Sequence, residues 1–146
     1  MDNNADFIVV GAGPVGLLTA LGLARAKASV PVLESGPALN DSPRAMTYTD
    51  PTMQLMNRLD ILDDAEAVGI QNRQINFVWP ADDLVIPIDT VKAEPNRVYP
   101  HNLQFRQAAL GGIAMTALLT YPGCQVRFDH KVKAISQGGR SCHRHR

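Results

Sequence analysis

DFIVVGAGPVGLLTALGLARAKASVPVLE, Asp6 to Glu34, is the stretch on which the fold turns. Phe7 to Val10 form a short apolar run, the mark of a buried strand. It leads directly into Gly11, Ala12, Gly13, Pro14, Val15 and Gly16, a G-x-G-x-x-G. A helical pattern follows, and a second apolar run ends on Glu34. Each part has a physical task. Gly11 permits a tight turn off the strand. Gly13, without a Cβ, lets the backbone approach a pyrophosphate. Gly16 allows the helix to pack closely on the sheet. The helix N-terminus offers free N–H groups and roughly +0.5 of a charge to phosphates. Glu34 follows Gly11 by 23 residues, at the end of the second strand. There its carboxylate can accept hydrogen bonds from a ribose diol, each contributing roughly 1.5–3 kcal/mol.

A bare G-x-G-x-x-G says little, because glycine-rich loops are common. Here a strand precedes it, a helix and a second strand follow, and an acid stands at the expected distance. Gly16, Ala20 and Ala24, four apart, add one small-residue stripe along a helix face. The pattern points to a dinucleotide site; a βαβ unit without a ligand is the remaining alternative. A membrane helix is excluded. Phe7 to Ala24 holds 18 residues without a charge, enough to span a bilayer, but four glycines and Pro14 would break that helix.

The 146 residues are enough for one domain with its own core. Lys+Arg and Asp+Glu balance at 14 each, so no nucleic-acid or anionic-membrane surface is indicated. The balance hides an asymmetry. The tail GGRSCHRHR carries three arginines, which leaves residues 1–137 with 11 basic and 14 acidic residues. The start, MDNNAD, has no basic segment before an apolar core and does not read as a secretory signal. Two cysteines, Cys124 and Cys142, are too few for a disulfide scaffold, so a cytoplasmic location is expected. The composition says nothing about oligomeric state.

After Glu34, SGPALNDSPRAM reads as a loop. Asp50 before Pro51 is a candidate N-cap for a short helix through Met53, Leu55, Met56 and Leu59. Asp63 to Val68 forms another turn or two, closed by Gly69. Ile75–Trp79 and Leu84–Ile88 flank Pro80 to Asp83 as a hairpin. Gln104 to Leu119 is helical despite Gly111 and Gly112, which cost about 1 kcal/mol each. Gln125–Phe128 and Lys131–Ile135 read as short strands. Residues 138–146 have no period and no apolar anchor; a solvated irregular terminus and a shifted reading frame both explain them. The division is therefore 1–137 as one nucleotide-binding domain and 138–146 as an irregular tail.

With these residues in view, the chain resembles the FAD-dependent aromatic-ring hydroxylases, such as phenol and p-hydroxybenzoate hydroxylases. DFIVVGAGPVGLLTALGLARA with VLE resembles their opening. SPRAM followed by NRLDILDDAEAVG resembles their second segment, and HNLQFRQ with YPGCQVRFDHKVKAI their third. The resemblance covers about residues 5–137 and implies an α/β, Rossmann-like FAD/NAD(P)-binding fold with a parallel sheet core. That fold is incomplete here, with a β-hairpin from the start of the substrate region. Family members are several times longer, and their later Asp-Gly and Gly-Asp motifs would lie beyond Arg146. The chain thus looks like the first, truncated part of such an enzyme.

By resemblance, Gly11, Gly13, Pro14, Val15 and Gly16 line the FAD pyrophosphate, and Glu34, followed by Ser35, holds the adenosine ribose. Arg44 aligns with a family arginine near the phosphates, where a guanidinium suits a phosphate by its bidentate geometry. Gln107 aligns with a glutamine that reaches the flavin. The family departs from this sequence at Lys27, usually a glycine closing the first helix, and at Pro31, which removes a ladder donor from a buried strand. Ser35 replaces a common basic residue, and Ala108 and Ala109 stand where an acid is frequent. The implied activity is a monooxygenase in which NADPH reduces FAD and O₂ then hydroxylates a small aromatic substrate. The flavin carries the chemistry, so no residue is assigned as catalytic acid or base, and no metal site is expected. His101 and His130 read as structural or solvated. Two alternatives stand beside this reading. One is a catalytically inactive nucleotide-binding remnant. The other is an NAD-dependent dehydrogenase, disfavoured because its catalytic half is missing.

Overall fold

The computed structural model describes residues 4–41, 44–138 and 141–145. In chain order its elements are β1 (Val9–Val10), α1 (Pro14–Arg25), β2 (Pro31–Leu33), β3 (Thr47–Tyr48), α2 (Asp50–Arg58), α3 (Leu62–Val68), β4 (Ile70–Asn72), β5 (Gln74–Trp79), β6 (Leu84–Asp89), α4 (Thr90–Ala93), β7 (Asn102–Gln104), α5 (Gln107–Leu118), β8 (Gln125–Arg127), β9 (Ala134–Gly138) and β10 (Ser141–His145). They fall into two units, Met1–Ser42 with Leu110–Arg146, and Pro43–Ala109.

The first unit is the βαβ arrangement expected of residues 6–34. β1, β2 and β8 form a parallel sheet in that order, with Val9 opposite Val32, Val10 opposite Leu33, and Val32 opposite Val126. The Asp6 carboxylate ties the entry of β1 to the entry of β2, accepting bonds from Ser29 N–H (2.8 Å) and Ser29 Oγ (2.9 Å). α1 opens on Pro14, where a missing N–H costs nothing. It buries Leu17, Ala20, Leu21 and Ala24, one face at helical spacing. From α5, Leu110, Gly111, Ala114 and Leu118 are also buried. No helix among the described residues is long and apolar enough to cross a membrane.

Several expectations shift. The first strand is not buried: among the described residues β1 pairs with β2 alone, at the sheet edge, and Phe7, Ile8 and Val10 are exposed. Pro31 is tolerated because it stands first in β2, where a missing ladder donor matters least. The last helix begins at Gln107 rather than Gln104, because Asn102–Gln104 is claimed by a sheet in which Leu103 is fully buried. The strand expected at Lys131–Ile135 lies at Ala134–Gly138. Ser141–His145, read as irregular, pairs antiparallel with it, from Ser141 opposite Gly138 to His145 opposite Ala134.

Lys27 is accommodated in a specific way. Its φ is 66°, the left-handed region that favours glycine. Lys27 N–H donates to Ala24 O (2.9 Å) and Ala28 N–H to Leu23 O (3.1 Å), the paired bonds of a Schellman helix end. α1 thus closes with a lysine in a left-handed position that favours glycine.

The second unit is built on an antiparallel sheet, β3-β7-β4, with β7 central. The N-cap of α2 is Thr49, and Asp50 is already inside the helix. The reason is a better use for the carboxylate. Asp50 Oδ1 accepts from Tyr99 N–H (2.7 Å) and Oδ2 from the Gln54 amide (2.6 Å). Burial alone would raise its pKa, but these donors and the nearby Arg97 charge outweigh it and hold Asp50 below the ordinary value. Arg97 in turn donates to Asn102 Oδ1 (2.6 Å) and to the His101 carbonyl (2.9 Å). α2 also ends on a left-handed residue, Asp60 (φ 54°), with Ile61 N–H donating to Met56 O (3.0 Å). Gly69 ends α3 for a packing reason: a Cβ there would lie 2.6 Å from Leu103 Cδ1.

The expected hairpin is present. β5 and β6 pair antiparallel around a short 3₁₀ turn, Pro80–Asp82. Ile75 faces Ile88, Phe77 faces Ile86 and Trp79 faces Leu84, so one face of the ribbon is wholly apolar. Phe77 is 47% exposed and Trp79 46%.

Candidate nucleotide-binding site

The residues picked out around the glycine motif do come together, all within the first unit. Gly11 N–H donates to Leu33 O (2.8 Å), carrying the β1–β2 ladder one residue into the turn. Gly11 has φ 100°, a conformation open to glycine and strained for other residues. A Cβ on Gly16 would overlap the Gly11 carbonyl oxygen and lie 3.3 Å from Val9 Cγ1, so close packing of helix on turn depends on that glycine. Gly13 is the N-cap of α1, in extended conformation and with no side chain capping the helix. The first N–H groups of α1 therefore have no side-chain acceptor at the cap. A Cβ at Gly13 would meet no protein atom within 4 Å. This glycine is not needed by the protein's own packing; the open space beside it is where a ligand's phosphates can approach. Pro14 opens the helix half-buried, and Val15 projects from its first turn, 79% exposed.

Glu34 lies just past the end of β2. Its main chain is held on both sides by β8 and its extension: Glu34 N–H donates to Arg127 O (2.8 Å), and His130 N–H donates to Glu34 O (2.8 Å). Its carboxylate reaches across to the glycine turn. Oε2 accepts from Ala12 N–H (2.8 Å), while Oε1 accepts from Gly36 N–H (2.8 Å) and Ser35 Oγ (3.1 Å). The Gly36 and Ala12 bonds, in that order, hold the Glu34 pKa below its ordinary value. The group is an anion at neutral pH, and its two oxygens together offer about four acceptor positions, so a ribose hydroxyl can be accepted beside the Ala12 N–H.

Arg44 is exposed, in the segment leading to β3, and Gln107 is the half-buried first residue of α5; both belong to the second unit. His101 is buried, with Nε2 3.4 Å from Glu66 Oε1, and His130 is exposed, its Nδ1 2.6 Å from Phe128 O. Cys124 is buried with Sγ 3.8 Å from the Ala28 carbonyl. Among the described residues no cluster of His, Cys, Asp and Glu could hold a metal ion. Sequence reasoning missed Ala12, Gly36 and the Arg127–His130 segment. Their part is played by main-chain N–H and C=O groups, which every residue type carries and no motif marks.

The arrangement fits a dinucleotide diphosphate: a turn with space at Gly13, a helix N-terminus free of side-chain caps, and an anionic acceptor for a sugar diol. Residues 4–145 match the family model described as FAD binding domain. The protein belongs to that family of flavin-nucleotide-binding domains. It is similar to a 6-hydroxy-3-succinoylpyridine 3-monooxygenase of Pseudomonas putida, 39% identical over 136 residues, covering 92% of this chain and 34% of the relative. It is also similar to a para-nitrophenol 4-monooxygenase of a Pseudomonas species, 32% identical over 130 residues, covering 89% of this chain and 32% of the relative. Among solved structures, p-nitrophenol 4-monooxygenase of Pseudomonas putida superposes with a TM-score of 0.83 at 32% identity, over 90% of this chain and 33% of the other. The chain spans about a third of the length of these two curated relatives.

Proposed function

We propose that this chain supplies the FAD-holding portion of a flavin monooxygenase that uses NAD(P)H and O₂ to hydroxylate a small aromatic ring. The observation that carries the reading is the open Gly13 turn faced by the anionic Glu34 carboxylate. FAD bound there supplies the redox chemistry. The chain's own residues bind and orient it. Gly13 and the first turn of α1 receive the diphosphate, and Glu34 accepts from the adenosine ribose. Pro14 and Val15 shape the start of that helix, and Ser35 steadies the acid. Arg44 and Gln107 add further contacts to phosphate and flavin. Support for the substrate class comes from relatives named for action on a hydroxylated pyridine and a nitrophenol. NADPH is the proposed reductant and the cytoplasm the proposed location. The substrate is a small molecule, not a nucleic acid.

A titration of the full chain with FAD, followed by flavin fluorescence, tests this. Because the chain spans about a third of its relatives' length, weak binding and no NADPH oxidation are expected. Gly13→Val should abolish the binding without unfolding the protein, since its side chain would occupy the phosphate space and its Cβ meets no atom within 4 Å beyond the chain neighbours. Unchanged FAD affinity in Gly13→Val would overturn the reading. Robust NADPH oxidation with a phenol would show that the chain is a complete enzyme rather than a binding portion or an inactive remnant.

A further inference from the structure

Resting on the nucleotide-site reading, we infer that Glu34 has a second task besides accepting the ribose: it is a positioning residue that sets the shape of the phosphate turn. The Ala12 N–H lies between Gly11 and Gly13, at the centre of that turn, and it donates to Glu34 Oε2 at 2.8 Å rather than pointing outward. Ala12 is buried, so an unmet N–H there would be costly. The acid can hold it because it is itself immobilised. β8 and the residues just after it grip its main chain through Arg127 O and His130 N–H, and Gly36 N–H and Ser35 Oγ fix the other carboxylate oxygen. The carboxylate thus links the end of β2 to the turn after β1 across 22 residues of chain. One consequence is an assignment of donors. The Ala12 N–H belongs to the acid, so the diphosphate must be received by Gly13 and the start of α1.

The two tasks separate in one experiment on the full chain at neutral pH. ADP and 2′,3′-dideoxy-ADP are titrated into wild type and Glu34→Gln. The glutamine keeps the size but loses one of the two acceptor oxygens. The dideoxy ligand has no diol for Glu34 to hold, so any loss of its affinity in the variant reports the turn alone. About a tenfold loss for dideoxy-ADP is expected, the low end of what one charge-assisted hydrogen bond supplies. Amide exchange gives a readout free of ligand. The Ala12 N–H should exchange about tenfold faster in the variant, while the fully buried Val32, in the middle of the sheet, should not change. Should Glu34→Gln not fold, Glu34→Asp, which keeps the charge but shortens the reach, gives the same two measurements. If wild type binds ADP but the variant keeps its dideoxy-ADP affinity and Ala12 protection, the positioning role is wrong and the nucleotide reading stands. If wild type binds no ADP, both fall.

Discussion

The glycine turn at Gly11–Gly16 and the hairpin at Gln74–Asp89 are both short segments built on strand ends, and they leave opposite things exposed. In the turn, polar groups are committed within the protein: Gly11 N–H to Leu33, Ala12 N–H to Glu34, Gly13 O to Leu17 N–H. What remains open is the space beside Gly13. In the hairpin the backbone is well paired, but Ile75, Phe77, Trp79, Leu84 and Ile86 stand against solvent on one face. A ribbon of two strands gains little stability by itself in water, and an apolar face of this kind favours association. The turn is finished by its own unit; the hairpin is not finished by its pairing alone.

The comparison can be broken or sharpened by substitution. The largest effect is expected at Gly16→Ala, where the new methyl overlaps the Gly11 carbonyl and forces helix from turn. A loss of about 3 kcal/mol is expected in urea denaturation, the upper range for overpacking. A loss below about 0.5 kcal/mol would show that the turn is not closed-packed as described. A smaller, opposite effect is expected at Lys27→Gly. Removing a side chain from a left-handed helix end should stabilise the first unit by about 1 kcal/mol. The matching change Asp60→Gly in the second unit should gain less, because aspartate tolerates that conformation better. Equal gains would erase this difference between the units. The smallest effect on stability, within about 0.5 kcal/mol, is expected for Phe77→Lys with Ile86→Glu on the hairpin face. The same pair should reduce self-association in sedimentation. A large loss of stability instead would mean that this face is packed inside the chain.

How much of this was readable beforehand varies with the kind of interaction. The βαβ unit, the roles of Gly11 and Gly16, and the hairpin were legible because each follows from a local pattern: an apolar run, a residue without a Cβ, alternation across a turn. Thr49 rather than Asp50 as the cap of α2 was not, because Asp50 is drawn away by Tyr99, nearly fifty positions later. Gln104 read as the start of a helix because propensity is local, whereas its place in the strand Asn102–Gln104 is set by partners at Thr47–Tyr48 and Ile70–Asn72. The exposure of β1 was hidden for a similar reason. An apolar run announces a buried strand, but whether a neighbour covers it depends on the sheet's order. In the site, Glu34 was legible as an acid at the right distance, and its grip on Ala12 was not, since main-chain donors leave no trace in a motif.

The clasp of β8 on Glu34 has a bearing on any attempt to move this fingerprint into another protein. Arg127 and His130 lie more than ninety positions beyond the acid they steady. A cassette cut after Asn40 would therefore carry every recognisable letter of the motif and still leave its acid swinging on an unanchored strand end. A graft would have to bring the distant third strand along with it.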